Sequence, residues 1–289
     1  MALLLGLLAL LGVVDLAVID CNYKQPNFDR IPSLVLTYGK RLPITRLMID
    51  QYNVLWPEHP FQFFVPTQDP NMTDEEIGLH TTAIYAPDSR IPSTMFRLLD
   101  CATDPNDVIY FAIDDNFPVK LNTTLFDRAV KKVYELTFHN DTFGGLFLSC
   151  FREPKVKKCS RGQSLELVHV LETKNNFWSH HFTRAWYIRA FYTFIAGSKI
   201  RTAKDYDKYK DQAILAIARP PIHNTTDGTE YYLYASHETL VIEESSHRGK
   251  ITTLTLEIIQ SRGFLDNQSL HDMFLPAVNF TIQIPAVSS

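Results

Sequence analysis

The feature that most constrains the fold of this chain is an uninterrupted apolar segment, Val108–Ile113, followed at once by two aspartates and an asparagine. Its residues are mostly β-branched or aromatic, which is typical of a strand buried on both faces in the middle of a sheet. Asp114, Asp115 and Asn116 follow at the strand's end. Ligands of open α/β sheets bind beyond the carboxyl ends of the strands, and adjacent oxygen ligands there suit a divalent cation that carries phosphates. An Asp-rich turn is the alternative, because Asp-Asn-x-Pro is also good turn chemistry.

The composition is that of an ordinary globular protein. The chain has 289 residues, of which 45% are hydrophobic and 21% charged, enough to bury a large core as one domain or as a domain with a subdomain. The net charge is −4 and no basic block occurs, so nucleic acid is not an expected partner.

The N-terminus and the asparagines predict the secretory pathway. Residues 1–19 are apolar except for Asp15, and the length suits a signal peptide or membrane anchor over residues 1–20; a buried helix is the alternative. Six N-glycosylation sequons support membrane or secretory localisation; they begin at Asn71, Asn122, Asn140, Asn224, Asn267 and Asn279. Of the four cysteines, Cys150 and Cys159 flank a short basic loop and can pair in an oxidising compartment; free buried thiols are the alternative.

The order of apolar patterns predicts an α/β domain with a mostly parallel sheet flanked by helices. Strands are predicted over residues 33–38, 61–65 (closed by Pro66), 82–85, 108–113, 145–151, 165–171, 214–218 and 231–235. Helices are predicted over residues 44–56, 93–102 (capped by Ser93), 122–138 (capped by Asn122), 177–195, 202–212 and 253–260. Residues 69–78 are predicted to be polar loop.

Four segments make the chain resemble the nucleotide-sugar-dependent glycosyltransferases of the GT-A fold. They are the strand and loop over residues 33–41, the helix and acidic strand over residues 93–115, the segment 179–186, and the Arg-Gly-Lys-Ile-Thr element at residues 248–252. Together they span roughly residues 33–262. The acidic motif and the Arg-Gly-Lys-Ile-Thr element are the more specific of the four.

The resemblance implies a hexosyltransferase that moves a sugar from a nucleotide-sugar donor to a carbohydrate or glycan acceptor. Residues 30–152 would form the nucleotide-sugar-binding half, and residues 153–289 the acceptor-side half and C-terminal region. Mn²⁺ or Mg²⁺ held by Asp114, Asp115 and Asn116 would neutralise the departing diphosphate. The family motif usually has a third acid, and Asn116 puts less charge there.

Further candidates for the donor site come from the same sheet edge and from the C-terminal element. Thr37, Tyr38 and Lys40 lie where the first strand ends, with Tyr38 a candidate to stack on a base. Arg97 is a candidate partner of Asp114 or of phosphate. Arg248 and Lys250 are candidates to contact the diphosphate from a loop that closes around Gly249.

An inverting transfer needs a general base that takes the proton of the acceptor hydroxyl. The candidates are Asp207 and Asp211, with Glu172 behind them, and Asp211 is preferred because it is the last acid before the predicted strand 214–218. Asp115 is the second catalytic candidate. His180 and His181 are adjacent, so in a helix they would face different ways. Four aromatic residues can line a sugar platform or, more commonly, a core; they are Trp178, Trp186, Tyr187 and Tyr192.

Two other functions stay open. The first is a carbohydrate- or nucleotide-binding protein on a degenerate transferase scaffold, which Asn116 favours. The second is a nucleotidyltransferase, for which the loop Gly39-Lys40-Arg41 is short. The chain contains no Gly-x-Ser-x-Gly, P-loop or Rossmann glycine motif, which argues against serine hydrolases, nucleoside triphosphatases and dinucleotide oxidoreductases.

Overall fold

The computed structural model describes residues 30–37, 41–88, 90–104, 107–114, 116–139, 143–147, 166–169, 177–198, 203–217, 231–234, 240–242, 246–247 and 250–251. The strands are β1 (Ile31–Leu36), β2 (Phe61–Thr67), β3 (Thr81–Tyr85), β4 (Val108–Ile113), β5 (Phe117–Lys120), β6 (Phe143–Phe147), β7 (Glu166–His169), β8 (His181–Arg184), β9 (Tyr231–Tyr234), β10 (Leu240–Ile242), β11 (Ser246–His247) and β12 (Lys250–Ile251). The helices are α1 (Leu42–Leu55), α2 (Asp74–Ile77), α3 (Ile91–Ala102), α4 (Thr123–His139), α5 (Ala185–Gly197) and α6 (Ala203–Ile217).

Eight of these strands form one mixed sheet in the order β3-β2-β1-β4-β8-β6-β9-β7. β1, β2, β3 and β4 pair in parallel, as do β6 and β9. β8 is antiparallel to both of its neighbours, and β7 is antiparallel to β9. The predicted α/β class with a mostly parallel sheet is confirmed. Strands from both predicted halves, residues 30–152 and 153–289, join this one sheet.

The central strand β4 has the predicted bounds, and all of its residues are buried. Because side chains alternate between the faces of a strand, Val108, Tyr110 and Ala112 join one core cluster while Ile109, Phe111 and Ile113 join the other. Helices pack on both faces, so neither face of this strand can be polar. That is why the segment is apolar without interruption.

Each face of the sheet is covered by its own helices. α1 and α4 contribute Leu47, Met48, Tyr52 and Phe126 to the first cluster. α3, α5 and α6 cover the other face with residues such as Leu98, Ile188 and Ile214. The result is a three-layer sandwich, in which each of these five helices buries one side against the sheet.

Two predictions in the second half of the chain are wrong. The predicted helix 177–195 begins only at Ala185, because residues 181–184 form β8 in the middle of the sheet. Of the predicted strand 214–218, residues 214–217 are instead the last turn of α6, which ends at Ile217. A short apolar run does not by its periodicity distinguish a buried strand from a buried helical turn, and packing against α5 decides for the helix.

Smaller corrections concern the ends of elements. Pro66 does not close β2, since it pairs with Ile84 inside the strand. The loop 69–78 contains α2, which Thr73 and Glu76 hold through a reciprocal capping box. Asn122 caps α4 as predicted, its Oδ1 accepting from the N–H of Leu125 at 2.9 Å. Ser93 lies inside α3, whose N-cap is Arg90.

The predicted N-terminal signal or anchor, residues 1–20, lies outside the described residues, as does the predicted helix 253–260. Within the described part of the chain, we find no helix with the length and hydropathy needed to cross a bilayer.

Candidate functional site

The candidate site lies where the strand order of the sheet reverses. From β1 the chain moves outward to β2 and β3, whereas β4 lies on the opposite side of β1. The carboxyl ends of β1 and β4 therefore flank a topological switch point, the place where open α/β sheets form their ligand crevice. Thr37 follows β1 and Asp114 follows β4, and the N–H of Asp114 still donates to the carbonyl of Leu36 across the pair at 3.3 Å.

Asp114 is fully buried and joins the two sides of this crevice. Its Oδ2 accepts a hydrogen bond of 2.6 Å from the hydroxyl of Thr37. Its Oδ1 lies 3.0 Å from Nη1 of Arg41, which keeps 16% of its side chain exposed against 1% for Asp114. A buried carboxylate is tolerable only when a cation and hydrogen bonds replace the water it has lost, so this pair sets the local structure of the crevice.

The start of α1 completes the arrangement. Thr45, in the first turn of that helix, places its hydroxyl 2.8 Å from Oγ1 of Thr37 and 3.2 Å from the carbonyl of Arg41. Arg41 is the N-cap residue, and its own side chain makes no capping hydrogen bond to the helix. A 14-residue helix thus points its positive end and an arginine at the crevice, and both features favour a bound anion.

Asn116 ties the acidic segment to a turn on the far side of β4. Its Nδ2 donates to the carbonyl of Trp178 at 2.7 Å, and the residue is 2% exposed. Its backbone N–H donates to the carbonyl of Ile113 at 3.1 Å. The turn chemistry that the sequence offered as the alternative for this segment is therefore present beside the buried carboxylate.

The described residues fit a divalent metal poorly. Of the three predicted ligands, Asp114 is neutralised by Arg41, Asn116 is buried with its amide nitrogen on Trp178, and Asp115 lies outside the described residues. The described ranges also contain no group of three His, Cys, Asp or Glu side chains that could hold an ion.

Several predicted donor residues cannot be placed. Tyr38, Lys40 and Arg248 lie outside the described residues. Lys250 is described, and it lies in β12, where it pairs with His247 of β11 in a short antiparallel hairpin. The predicted loop is therefore flanked by paired strands, and its role toward phosphates stays a prediction.

Arg97 is not the cation beside Asp114. It lies in α3 and donates from Nε to the carbonyl of Tyr85 at the end of β3, at 3.2 Å. Tyr85 ends β3, which lies three strand positions from β4 in the sheet. At roughly 4.8 Å between neighbouring strands, Tyr85 lies about 14 Å from β4. Arg97 instead lines a small cavity with Asp88 and Ser93 at this end of β3.

The structure removes the reason for predicting Asp211 as the general base. The prediction needs a strand directly after Asp211, but Asp211 lies inside α6, whose last residue is Ile217. It is half-buried there, and among the described residues its Oδ1 has no hydrogen-bond partner. No contact within the described ranges joins it to Asp114.

The two adjacent histidines lie on opposite faces of the sheet, as strand geometry requires. His180 contacts Tyr52 and Tyr110 of the first core cluster, and His181 packs against Phe111 and Phe147 of the second. Burial lowers the pKa of each to about 4. Of the candidate platform residues, Tyr187 and Tyr192 are core, and Trp178 and Trp186 are partly buried against it.

Sequence reasoning missed Arg41 and Thr45. The position of Arg41 predicts only a turn residue after the first strand, and the contact of Arg41 with Asp114 joins residues that are far apart in the chain. A signal was present, since a cation at the start of the first helix lies next to the carboxyl end of the first strand. Thr45 gave no signal, because threonine in a helix more often bonds to its own backbone.

No protein-family model matches this chain, and no curated protein matches it significantly. Solved structures give distant likenesses. The galactosyltransferase LgtC, solved with donor and acceptor sugar analogues, has a TM-score of 0.41 and 11% identity over 81% of this chain and 96% of its own. TarS of S. aureus has a TM-score of 0.44 and 12% identity, covering 89% and 76%. The 4-diphosphocytidyl-2C-methyl-D-erythritol synthase of Anaerococcus prevotii has a TM-score of 0.41 and 12% identity, covering 82% and 98%. All three TM-scores lie below 0.5, and the α/β assignment of this chain rests on its own sheet.

Proposed function

We propose that this protein is a glycosyltransferase that moves a sugar, a hexosyl group by its resemblance, from a nucleotide-sugar donor to a carbohydrate or glycan acceptor. The observation that carries the proposal is the Thr37–Asp114–Arg41 cluster at the switch point of the sheet. It combines the place where such sheets bind ligands with the acidic strand end that the GT-A family uses for its donor.

The chemistry of the crevice suits a donor that leaves as a diphosphate. Breaking the bond to the sugar develops negative charge on the leaving group, and fixed positive groups lower the energy of that step. Arg41 and the N-terminus of α1 are two such groups on the described edge. Asp114 would hold Arg41 and Thr37 in place. It could accept hydrogen bonds from hydroxyl groups of the donor only if the crevice opens, because its side chain is buried.

A divalent ion, Mn²⁺ or Mg²⁺, is a separate proposal that rests on Asp115. If bound, it would supply charge neutralisation to the diphosphate. Because Asp114 already has a cation, we expect the nucleotide to bind without added metal.

A thermal-shift experiment tests the donor site. We expect uridine or guanosine diphosphate to raise the melting temperature, because a ligand that binds only the folded state stabilises it. The measurement with each nucleotide is repeated in the presence of Mn²⁺ and in the presence of EDTA. The variant Glu75→Gln, which changes an exposed side chain, is the control for the protein preparation. A melting temperature that no nucleoside diphosphate moves in either condition would contradict the proposal.

The second candidate is a binding protein without turnover. It is favoured by Asn116 in place of an acid, with its amide committed to Trp178. The two candidates separate when a sugar nucleotide that binds is incubated with a mixture of glycan acceptors. Release of the nucleoside diphosphate supports the transferase, and binding without release supports the binding protein.

We also propose that the protein resides in the secretory pathway. Cys101 is disulfide-bonded, and disulfides persist in oxidising compartments. Membrane association through residues 1–20 belongs to the same proposal and rests on the apolar N-terminus.

The sequon at Asn71 gives a test of that location. Asn71 is exposed in the loop before α2. We expect the full chain, expressed in a eukaryotic secretory host, to lose mass on treatment with an N-glycan-removing enzyme, and Asn71→Gln to lose one glycan. Glu75→Gln leaves the sequon intact and is the control. Full-length protein that carries no glycan and stays in the cytosol would exclude the secretory proposal.

A further inference from the structure

A chain of buried hydrogen bonds runs beneath the acidic end of β4. The hydroxyl of Tyr52 lies 2.6 Å from the hydroxyl of Tyr110 and 2.6 Å from Nδ1 of His180. Nε2 of His180 lies 2.9 Å from the carbonyl oxygen of Ile113. The three side chains are fully buried, so each of their polar atoms must find its partner within the protein.

The direction of every bond in this chain follows from its last acceptor. A carbonyl oxygen only accepts, so Nε2 of His180 carries the hydrogen and donates to Ile113. A neutral imidazole has one N–H, so Nδ1 accepts from the hydroxyl of Tyr52. Tyr52 in turn accepts from Tyr110. One tautomer of a neutral His180 thus satisfies the whole chain.

A second bond links the same two parts of the molecule. Nδ2 of Asn116 donates to the carbonyl of Trp178, two residues before His180. The segment that contains Asp114 is therefore held from both sides, at Ile113 and at Asn116, by the turn that leads into β8. The carbonyl of Ile113 accepts from His180 and from the N–H of Asn116 together, which fixes the peptide from which Asp114 leaves the strand.

We propose that His180 is a positioning residue, which sets the direction of Asp114 by holding the carbonyl of Ile113. The inference deepens the proposed function, since it matters to ligands only if Asp114 belongs to the binding site. A side chain that its neighbours already hold in place loses less conformational entropy when a ligand binds to it. His180 does this without contacting the ligand.

Two variants separate positioning from core packing. In His180→Gln the amide group lies near the position of Nε2 and can still donate to Ile113. In His180→Asn the shorter side chain places its amide near Nδ1, where it can bond to Tyr52 but does not reach Ile113. Both variants lose imidazole packing, so both are expected to lower the urea midpoint. Tyr110→Phe is the control, because it removes a hydroxyl from the far end of the chain.

The readouts are ligand affinity and local amide exchange. We expect the affinity for uridine or guanosine diphosphate, by calorimetry, to fall about tenfold in His180→Asn and to stay within about twofold in His180→Gln and Tyr110→Phe. We expect the amides of Asp114 and Asn116 to exchange with deuterium faster in His180→Asn than in His180→Gln.

The two readouts fail in different ways. If wild-type protein binds no nucleoside diphosphate, the proposed function is wrong, and the amide exchange alone decides the role of His180. The positioning role is overturned if the amides of Asp114 and Asn116 exchange at the same rate in His180→Asn and His180→Gln. It is also overturned if the affinity of each variant falls only in proportion to its loss of stability.

Discussion

Replacing Arg41 by alanine is expected to lower the free energy of unfolding by about 3–5 kcal/mol, as when one partner of a buried ion pair is removed. The variant takes away the cation that lies 3.0 Å from Oδ1 of Asp114, whose side chain is 1% exposed. The buried carboxylate then lacks this compensation for its lost hydration. Urea unfolding of both proteins at neutral pH measures the effect.

The matched variant is Asp114→Asn, for which we expect a smaller loss of about 1–3 kcal/mol. Asparagine keeps the shape and can still accept from Thr37, while Arg41, 16% exposed, can turn its guanidinium toward water. Both variants should weaken nucleoside diphosphate binding. If Asp114→Asn lowers the free energy of unfolding more than Arg41→Ala does, then Asp114 is not the buried, ionised partner of Arg41 that the geometry indicates.

Acid is expected to destabilise the protein strongly between pH 7 and pH 5, through histidines that are buried in the neutral form. Burial lowers the pKa of both His180 and His181 from 6.5 to about 4. As the pH falls below 6.5, these histidines bind protons in the unfolded chain but not in the folded chain, so stability is lost until about pH 4. Each histidine accounts for about 2 kcal/mol between pH 7 and pH 5, or about 4 kcal/mol together.

Urea unfolding at a series of pH values checks this. The double variant His180→Gln/His181→Gln should start from lower stability but lose much less of it on acidification. A smaller slope will remain, because burial also lowers the pKa of His59 to about 4. A wild-type stability that is flat from pH 7 to pH 5 would show that these imidazoles accept protons in the folded state.

The parts of the fold that the sequence predicted are those whose signal lies within one short segment. β4 has its predicted bounds because a fully buried strand must be apolar on both faces. Asn122 was recognisable as a helix cap because its side-chain oxygen serves the helix it precedes. Both signals are local, so a single sequence contains them.

The parts that were missed depend on contacts between distant segments. β8 consists of four residues at the start of an aromatic run, and only its place between β4 and β6 makes it a strand. Tertiary packing overrides local pattern in such a segment. The same holds for the site, where Asp114 was expected but its partner Arg41 was not, because a sequence does not show which cation a buried acid will meet.

The position of β8 also bears on how the chain avoids aggregation. β4 is made entirely of buried apolar residues, and one of its hydrogen-bonding edges is covered by a strand synthesised dozens of residues later. Until that strand arrives, the edge is an open template for pairing with the same strand of another molecule. β8 closes that edge, so the central strand is protected from intermolecular pairing only once residues 181–184 have been made and docked.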